Sequence, residues 1–365
     1  MYVPIMKNRK EELIVIKNMN GYFNDSMIPL IELIKDEHEK KYEIDENTGK
    51  FIYEQKAGKT RRNRIGIPPT EADIITLKAI NERLNGKKAF IEFFRFSEGE
   101  YDKKKTYKNI ELAFRLSRDF AYYRQRMLEI GNYANLIPVI SIKSGFKIGP
   151  HILIKFINDL KLNNQSIVIR ITDYYLEEYA ELLETHLRSS DYIMLDIRDK
   201  NADSKFLELE EFQELETDAK KILLNSPRSQ THKNGDFENL VFTGKINNQV
   251  ANIYKEYNLD GFGDFGGLKD ALPEEGGSNG KGSALGLIYL KEKNAFFSVV
   301  NHDTDKGVRG YEYVRSEILQ RLNLLDRENH CLAIKRIKDM GLTFGSWGTW
   351  NNLTLTRYIQ QQSQE

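Results

Sequence analysis

Short runs of apolar, β-branched and aromatic residues recur along this chain, and the segments between them carry apolar residues at the i, i+3 and i+4 spacing of helices. This alternation predicts repeated strand-helix units with parallel strands. The runs are nearly continuous in apolar residues, as expected for strands that helices cover on both faces. Eight strands are predicted, at residues 28–34, 88–96, 136–142, 166–172, 192–198, 221–225, 261–265 and 295–302. Eight such units favour an α/β fold of the (β/α)8 type, a TIM-like barrel.

Two segments fit a closed barrel poorly. Residues 36–85 make the first crossover long and charged, and residues 240–244 form a ninth strand-like run where a barrel needs only a loop. A doubly wound open sheet is therefore kept as the alternative to a closed barrel.

The last part of the chain predicts a loop, a hairpin and helices. Residues 268–283 contain Pro273 and a stretch rich in glycine and serine, which favours a flexible loop. The alternation at residues 284–290 favours a hairpin strand, and helical spacing returns at residues 311–325 and 331–340.

These elements predict one main domain. We expect a barrel-like α/β domain over residues 1–310, with residues 36–85 as a charged insertion and residues 268–283 as a flexible loop. We expect residues 311–365 to form an extension whose helices and closing strand pack on the barrel.

Composition indicates a chain that folds by itself. Hydrophobic residues make up 40% of the 365 residues and charged residues 30%, which is ordinary for globular proteins. Lysine plus arginine balance aspartate plus glutamate at 54 each, so no overall field draws the protein to nucleic acid or to an anionic membrane. Any anion site must therefore be local.

Cysteine usage and hydropathy favour a cytoplasmic protein. The single cysteine, Cys331, excludes an intramolecular disulfide and a metal site built from several cysteines. Residues 1–12 carry charges from Lys7 onward and lack the apolar core of a signal peptide. No apolar run approaches the roughly 18 residues of a membrane span, so we expect no membrane partner.

Short motifs at both ends of the chain resemble the phage beta-protein family, which is found in bacteria and phages. The similar patterns are Tyr-x-Pro-Ile-x-Lys at residues 2–7, Glu and Leu at 11–13, Pro-Leu-Ile-Glu at 29–32, Gly-Asp-Phe-Gly at 263–266 before Pro273, Trp-Gly-Thr-Trp at 347–350 and an apolar closing strand at 353–358. The resemblance implies a barrel-like α/β fold and a setting among phage, prophage or defence genes. Many relatives carry paired histidines where this chain has Asn351 and Asn352, so any chemistry of those histidines is lacking here.

Polar residues that end apolar runs are the candidate site residues, because ligand sites of barrels lie at the carboxyl ends of the strands. The predicted strands end in Glu32 and Lys35, Glu92 and Arg95, Ser141 and Lys143, Arg170 and Asp173, Asp196 and Arg198, Asn225 and Arg228, Asp264, and His302. Alternation directs Arg170 and Asp196 toward a common interior. A buried charge without a partner costs several kcal/mol, so these two must pair with each other, with water or with a ligand.

The candidate chemistry follows from these residue types. Cations suited to phosphate or carboxylate, arginine through its planar fork, are Lys143, Arg170, Arg198 and Arg228. Carboxylates that could act as general acid and base, or hold a divalent cation, are Glu32, Glu92, Asp196 and Asp264. His302 is a candidate general base, although a loop histidine after the last strand is the simpler interpretation.

Three other motifs have simpler explanations than binding. Residues 57–60 lack the earlier glycine of a phosphate loop, because Tyr53 stands at that position. Residues 280–283 suit a linker better than a phosphate cradle. Residues 59–64 form a basic patch without an aromatic stacking platform beside it in the sequence, which favours a solvated loop over a nucleic-acid contact.

Two functions remain open from the sequence. The first is an enzyme or binding protein for a phosphorylated or nucleotide-like anion, with hydrolysis as a candidate reaction, and it predicts a deep charged pocket at one end of the barrel. The second is a non-catalytic scaffold of a phage or defence locus that binds a protein partner, and it predicts that the interior charges pair off without leaving a cavity.

Overall fold

The predicted (β/α)8 barrel is confirmed. The structure, a computed structural model, describes the whole chain apart from residues 56, 57, 59, 61, 103, 276–280, 342, 364 and 365. Its strands are β1 (Tyr2–Lys7), β2 (Leu30–Leu33), β3 (Tyr53–Gln55), β4 (Arg62–Arg64), β5 (Ala89–Phe93), β6 (Leu136–Ile142), β7 (Val168–Thr172), β8 (Tyr192–Asp196), β9 (Lys220–Leu224), β10 (Val241–Thr243), β11 (Gly261–Asp264), β12 (Ala284–Leu290) and β13 (Ala295–Asn301). Eight parallel strands close in the order β1-β11-β9-β8-β7-β6-β5-β2. Because β1 pairs with both β11 and β2, the sheet has no open edge and the doubly wound alternative is excluded.

Helices surround the barrel, and the C-terminal ones pack on a second, antiparallel sheet. They are α1 (Lys10–Asn18), α2 (Thr76–Leu84), α3 (Glu111–Arg118), α4 (Phe120–Glu129), α5 (Pro150–Lys161), α6 (Leu176–His186), α7 (Phe206–Glu214), α8 (Val250–Glu256), α9 (Tyr311–Gln320), α10 (Leu322–Leu325), α11 (Leu332–Asp339) and α12 (Trp347–Gln362). Side chains set several of the helix starts: Asp119 caps α4 by accepting a hydrogen bond from the backbone of Tyr122 at 2.9 Å. The last helix, α12, packs against α1 and so joins the two ends of the chain.

One predicted barrel strand is wrong. Residues 295–302 do not belong to the barrel, because β13 pairs antiparallel with β12 and β10 in a separate three-stranded sheet. The strand that completes the barrel is β1, which holds Pro4 and is followed almost at once by α1. β13 resembles a buried barrel strand in sequence because it is buried too, between β10 and β12.

The antiparallel sheet and the C-terminal helices share a second apolar core. Residues of β12 and β13 pack there with residues of α9, α11 and α12, among them Trp350 and Cys331. The hairpin predicted from residue 284 onward is confirmed, since β12 pairs with β13 along its whole length. The division of the chain at residue 310 stays a prediction.

The closing strand expected at residues 353–358 is wrong, because these residues lie within α12. A capping box of Ser346 and Thr349 begins this helix. The helix is buried continuously from Asn352 to Gln360, since α1, α11 and β12 all contact it. Burial on all sides removes the polar face by which a helix is recognised in a sequence.

The charged insertion holds an antiparallel arm, which we define as residues 38–67. Within it β3 pairs with β4, and the bridges Tyr42–Gly66 and Ile44–Phe51 extend the pairing. The arm follows β2 and therefore leaves the barrel at the carboxyl ends of its strands. The motifs at residues 57–60, 59–64 and 280–283 fall partly outside the described residues.

Hydropathy of the described helices does not indicate a membrane span: within the described ranges, none combines the length and the apolar character that crossing a bilayer requires.

The close approach of β1 to β11 gives a test of this barrel. A Cβ atom on Gly263 would lie 2.6 Å from the backbone oxygen of Val3 and 2.6 Å from Leu224, and the backbone of β1 cannot move away without breaking the barrel. We expect Gly263→Ala to lower the free energy of unfolding in urea by about 3 kcal/mol or more.

The control is Gly244→Ala, because a Cβ atom at Gly244 meets nothing within 4 Å. This variant should unfold within about 0.5 kcal/mol of the original protein. Equal stability of the two variants would contradict the pairing of β1 with β11.

Candidate functional site

Charged side chains from the carboxyl ends of the barrel strands meet inside the barrel and form a closed ring of ion pairs. Cations and carboxylates alternate around it in the order Lys7, Glu32, Arg170, Asp196, Arg198, Asp270 and back to Lys7. We call these six residues the charge ring. Because the strands are parallel, their carboxyl ends lie at one end of the barrel, and this is what brings side chains so distant in sequence together.

Arg170 has the largest number of partners in the ring. Its Nη1 donates to Glu32 at 2.7 Å and to Glu92 at 2.8 Å, and its Nε and Nη2 donate to Asp196 at 2.9 and 2.7 Å. The meeting of Arg170 with Asp196 that strand alternation predicts is therefore present. One guanidinium links β7 to β2, β5 and β8.

Arg198 and Lys7 complete the ring. Arg198 donates to Asp196 at 3.2 Å and to Asp270 at 2.6 Å. Lys7 donates to Asp270 at 2.7 Å and also to Glu32. Arg198 holds a left-handed backbone conformation with φ of 56°, which costs a non-glycine residue about 1 kcal/mol or more.

The ring charges keep each other ionised although they are buried. Burial acts to lower the pKa of Lys7, but the carboxylates of Asp270 and Glu32 outweigh it and raise that pKa above its usual value. Burial likewise acts to raise the pKa of Asp196, and the guanidinium groups of Arg170 and Arg198 outweigh it, so that this pKa is lowered. Such alternation offsets the cost of removing each charge from water.

Glu92 differs from the ring carboxylates. Glu32, Asp196 and Asp270 each contact two cations of the ring, whereas within the described residues Glu92 forms one ion pair, with Arg170. Its side chain is 1% exposed. Counted with the ring, Glu92 gives four carboxylates against three cations, and the buried guanidinium of Arg95, which interacts electrostatically with Glu92, supplies a fourth cation near them.

Little space remains beside these groups. Glu92, Arg170, Asp196 and Arg198 line a cavity of about 10 Å³, to which Ser141 contributes. A cavity of this size has room for about one water molecule. Among the described residues, the deep pocket expected for a ligand-binding barrel is therefore not formed at this place, and entry of a ligand would require the covering loops to move.

Two loops cover the ring. In the loop after β5, Tyr101 donates to Asp270 at 2.9 Å and Glu100 pairs with Lys143 at 2.9 Å. The same loop is joined to the loop after β11, because the backbone of Lys108 donates to Pro273 at 3.1 Å and that of Glu275 to Thr106 at 2.7 Å.

Arg228 is a buried cation without a carboxylate partner in the part of the chain that the structure describes. It lies in the loop after β9 and is 4% exposed. Its Nη2 donates to the neutral Asn234 at 2.9 Å, its guanidinium lies 4.7 Å from the ring centre of Phe237, and its Nε has no partner among the described residues. Leaving a buried guanidinium in this state is costly, and an anion would relieve the cost.

Lys269 lies beside Arg228, because the two backbones form a parallel bridge. Burial lowers the pKa of Arg228 to about 10, with Asp236 and Tyr311 acting weakly in the opposite direction. Burial and the charge of Arg228 lower the pKa of Lys269 to about 8. Lys269 directly precedes Asp270 of the charge ring in the chain, and its Nζ donates to the backbone of Gln230 at 3.4 Å.

Three of the four predicted anion-binding residues are already paired. Arg170 and Arg198 belong to the charge ring, and Lys143 pairs with Glu100. Arg228 alone of the four has no ion pair within the described ranges. Sequence analysis missed Lys7 because its strand was not counted, and it missed Lys269 and Asp270 because they lie in the loop beyond the strand predicted at residues 261–265 and not at the end of that strand.

Asp264 does not join the site. Its side chain points away from the barrel interior, accepting hydrogen bonds from Tyr358 at 2.7 Å, Tyr2 at 3.1 Å and the backbone of Gly266 at 2.8 Å. Burial raises the pKa of Asp264 to about 6, since the three donors lower it by less. Asp264 thus connects β11 to β1 and α12, and the catalytic role expected from its strand-end position is not supported.

His302 is also remote from the charge ring. It is exposed and follows β13, which belongs to the antiparallel sheet and not to the barrel. The expectation that His302 closes a barrel strand is therefore wrong. Among the described residues, no group of three or more His, Cys, Asp or Glu side chains is arranged to bind a metal ion.

Asn352, one of the two asparagines after the Trp-Gly-Thr-Trp motif, has a structural position. It is 1% exposed, accepts a hydrogen bond from Arg336 and donates to the backbone of Glu11 at 2.9 Å. It therefore joins α12 to α11 and α1. The charge ring contains neither asparagine of this pair.

Comparison with known families covers almost the entire chain. The sequence profile of the Beta protein family matches residues 2–364. The chain belongs to the Beta protein family. The motifs at both ends are therefore parts of a single family match, and the family resemblance predicted from them is confirmed.

Comparison with solved structures finds a distant similarity to the crystal structure of the Bacillus cereus spore cortex-lytic enzyme SleL. The two sequences are 10% identical, the TM-score is 0.33, and the match covers 98% of this chain and 74% of that chain. A likeness this low carries no argument about fold or function. A search of curated proteins finds no match.

The buried Asp264 gives a test by pH. Its pKa is raised from 3.8 to about 6, so the folded protein keeps a proton that the unfolded chain loses as the pH rises from about 4 to 6. Stability therefore falls as the pH rises through this range, by roughly 3 kcal/mol for this group. In Asp264→Asn this loss is absent, so the stability of the variant relative to the original protein should increase between pH 4 and pH 7.

The measurement is urea unfolding at a series of pH values. An asparagine can still accept from Tyr2 and Gly266 through its oxygen and can donate to the hydroxyl of Tyr358. Asp218→Asn, at an exposed position, is the control and should show no such trend. If the difference in the free energy of unfolding between Asp264→Asn and the original protein stays constant with pH, then burial does not raise the pKa of Asp264.

Proposed function

We propose that the protein binds a phosphorylated or nucleotide-like anion at the carboxyl end of its barrel, with Arg228 and Lys269 holding the anionic group. The observation that carries this proposal is the buried guanidinium of Arg228, which has no carboxylate partner in the described ranges. A phosphate or carboxylate would supply the missing charge and bind bidentately to arginine. A bound anion would also stabilise the charged form of Lys269, and so would raise its lowered pKa toward the usual value.

The charge ring forms the fixed polar base of the proposed site. The cations of the ring are neutralised by its own carboxylates. In the proposed site the ring therefore orients the ligand by hydrogen bonds, and other residues bind the charge of the ligand. Glu92 is the proposed acid-base residue, because it has a single cation partner within the described residues and borders the cavity. Hydrolysis is the proposed reaction class, with Glu92 as the base toward a water molecule in the cavity that it borders.

Ligand entry requires the loops after β5 and β11 to separate. The hydrogen bonds of Lys108 and Glu275 hold these loops together, and Tyr101 and Glu100 hold the first loop on the ring. Covering loops of this kind exclude water from barrel sites and open to admit the substrate. The closed arrangement accounts for a cavity that holds only about one water molecule.

A second function, a non-catalytic scaffold that binds a protein partner, is favoured by one observation. The interior charges pair off and leave a cavity of about 10 Å³, as that hypothesis predicts. The unpaired Arg228 favours the ligand site instead, because a scaffold gains nothing from a buried charge without a partner. A setting among phage, prophage or defence genes and a cytoplasmic location stay predictions.

The test is a titration of inorganic phosphate, pyrophosphate and nucleoside monophosphates, followed by thermal unfolding. A ligand that binds only the folded state raises the melting temperature, and at least one probe should do so. Arg228→Gln should fold, because it removes a buried unpaired charge, and it should weaken binding of that probe by about tenfold or more.

The matched control is Arg188→Gln, an exposed arginine before β8 at the opposite end of the barrel. It should bind the probe as the original protein does. If no anion raises the melting temperature of the original protein, the proposal is wrong and the scaffold is favoured. If Arg228→Gln binds as tightly as the original protein, the anion site does not include Arg228.

A further inference from the structure

The pairing within the arm gathers aromatic and cationic side chains on one of its faces. Residues directly opposite each other in an antiparallel pair lie on the same face, and so do residues two apart along a strand. The register pairs Tyr53 with Arg64, Gln55 with Arg62, Phe51 with Ile44 and Tyr42 with Gly66. One face therefore carries three aromatic rings and two arginines, at Tyr42, Phe51, Tyr53, Arg62 and Arg64.

Contacts within this face confirm that these side chains lie together. The guanidinium of Arg64 lies 4.0 Å from the ring centre of Phe51 and 5.5 Å from that of Tyr42. The rings of Tyr42 and Phe51 meet edge to face, with their centres 6.0 Å apart. These residues are up to 22 positions apart in the sequence. The sequence alone therefore shows no aromatic residue beside the basic patch at residues 59–64.

This aromatic-basic face is open to solvent. Phe51 is 38% exposed and Tyr53 51% exposed, unusually high values for rings of this size. This face includes no aspartate or glutamate among its positions, which are 42, 44, 51, 53, 55, 62, 64 and 66. The acidic residues Glu43 and Glu54 belong to the opposite face.

Charge of the arm differs from that of the whole protein. Residues 38–67 hold eight lysines and arginines against five aspartates and glutamates, whereas the complete chain is neutral. The arm therefore carries a local positive charge, and its cations Arg62 and Arg64 share a face with the exposed rings.

We infer that the aromatic-basic face of the arm binds single-stranded nucleic acid. Exposed rings stack on unpaired bases of any sequence, and arginines beside them bind the phosphates and stack as well. A duplex would hide its bases from the rings, and an acidic protein segment would use the arginines but not the aromatic rings. A single strand is the partner that uses both.

The inference is independent of the proposed anion site, because Arg228 and Lys269 lie in other loops. Both features lie at the same end of the barrel, since the arm follows the carboxyl end of β2 and Arg228 follows that of β9.

The experiment measures fluorescence anisotropy of labelled oligothymidylate and oligouridylate strands of 20 nucleotides with the full chain. We expect binding that weakens as salt increases, because phosphate contacts release counterions. Phe51→Ala with Tyr53→Ala should weaken binding by about tenfold or more, in line with the loss of base stacking. Arg62→Gln with Arg64→Gln should weaken binding and reduce its salt dependence.

The matched control is Ile52→Ala, since Ile52 lies between Phe51 and Tyr53, is 37% exposed and, by alternation, points to the opposite face. It should bind as the original protein does, and Arg228→Gln should do so too. All of these arm positions are exposed, so thermal unfolding should remain unchanged and loss of folding would not explain weaker binding.

Three results would overturn the inference. These are an absence of binding at low salt, equal loss from Ile52→Ala and from the aromatic pair, and binding of poly-glutamate of the same length as tightly as the oligonucleotides. The last result would assign the face to an acidic protein segment. If Arg228→Gln no longer binds the anion but still binds the oligonucleotides, the anion site and the aromatic-basic face are separate, as inferred.

Discussion

The guanidinium of Arg170 is the group on which the carboxyl end of the barrel depends. Its hydrogen bonds to Glu32, Glu92 and Asp196 join four barrel strands inside a low-dielectric interior. A single buried charge there would destabilise the fold, but alternation around the charge ring offsets the cost for each member. Lys7 and Arg198 extend the same alternation to Asp270 in the loop after β11, so closure of the barrel and covering of its mouth depend on one network.

This self-neutralised interior limits where a ligand can bind. The cations that look most suited to an anion, Arg170 and Arg198, are already in ion pairs, and the remaining cavity holds about one water molecule. Electrostatic demand for an anion falls instead on Arg228, which is buried beside Lys269 without a carboxylate. In the proposed site the charge ring would orient the ligand and Arg228 would attract it, so the two roles would belong to different residues.

Sequence patterns predicted much of the barrel but only part of the site. Seven of the predicted strands overlap barrel strands, because buried parallel strands are marked by continuous apolar runs. β1 was missed and β13 was included wrongly, since burial by itself does not reveal which sheet a strand joins. Arg170 and Asp196 could be predicted to meet because strand alternation sets the side on which they lie.

Other site residues could not be predicted, for reasons of geometry. Asp270 lies in a loop, and no periodicity reports where a loop side chain points. Asp264 ends its strand like a site residue but faces α12, because Tyr358 and Tyr2 bind it on the outer side of the barrel. The aromatic platform of the arm depends on a strand register between residues 42–55 and 62–66, which the sequence does not specify.

The most direct test of the charge ring is a double-mutant cycle of Arg170→Met and Glu92→Gln, measured by urea unfolding at neutral pH. Arg170→Met should lower the free energy of unfolding by about 3–5 kcal/mol, because it leaves carboxylates buried without their cation. Adding Glu92→Gln should recover part of that loss, since Glu92 has no other ion-pair partner in the described residues. An Arg170→Met protein as stable as the original, or strictly additive effects of the two substitutions, would contradict the account.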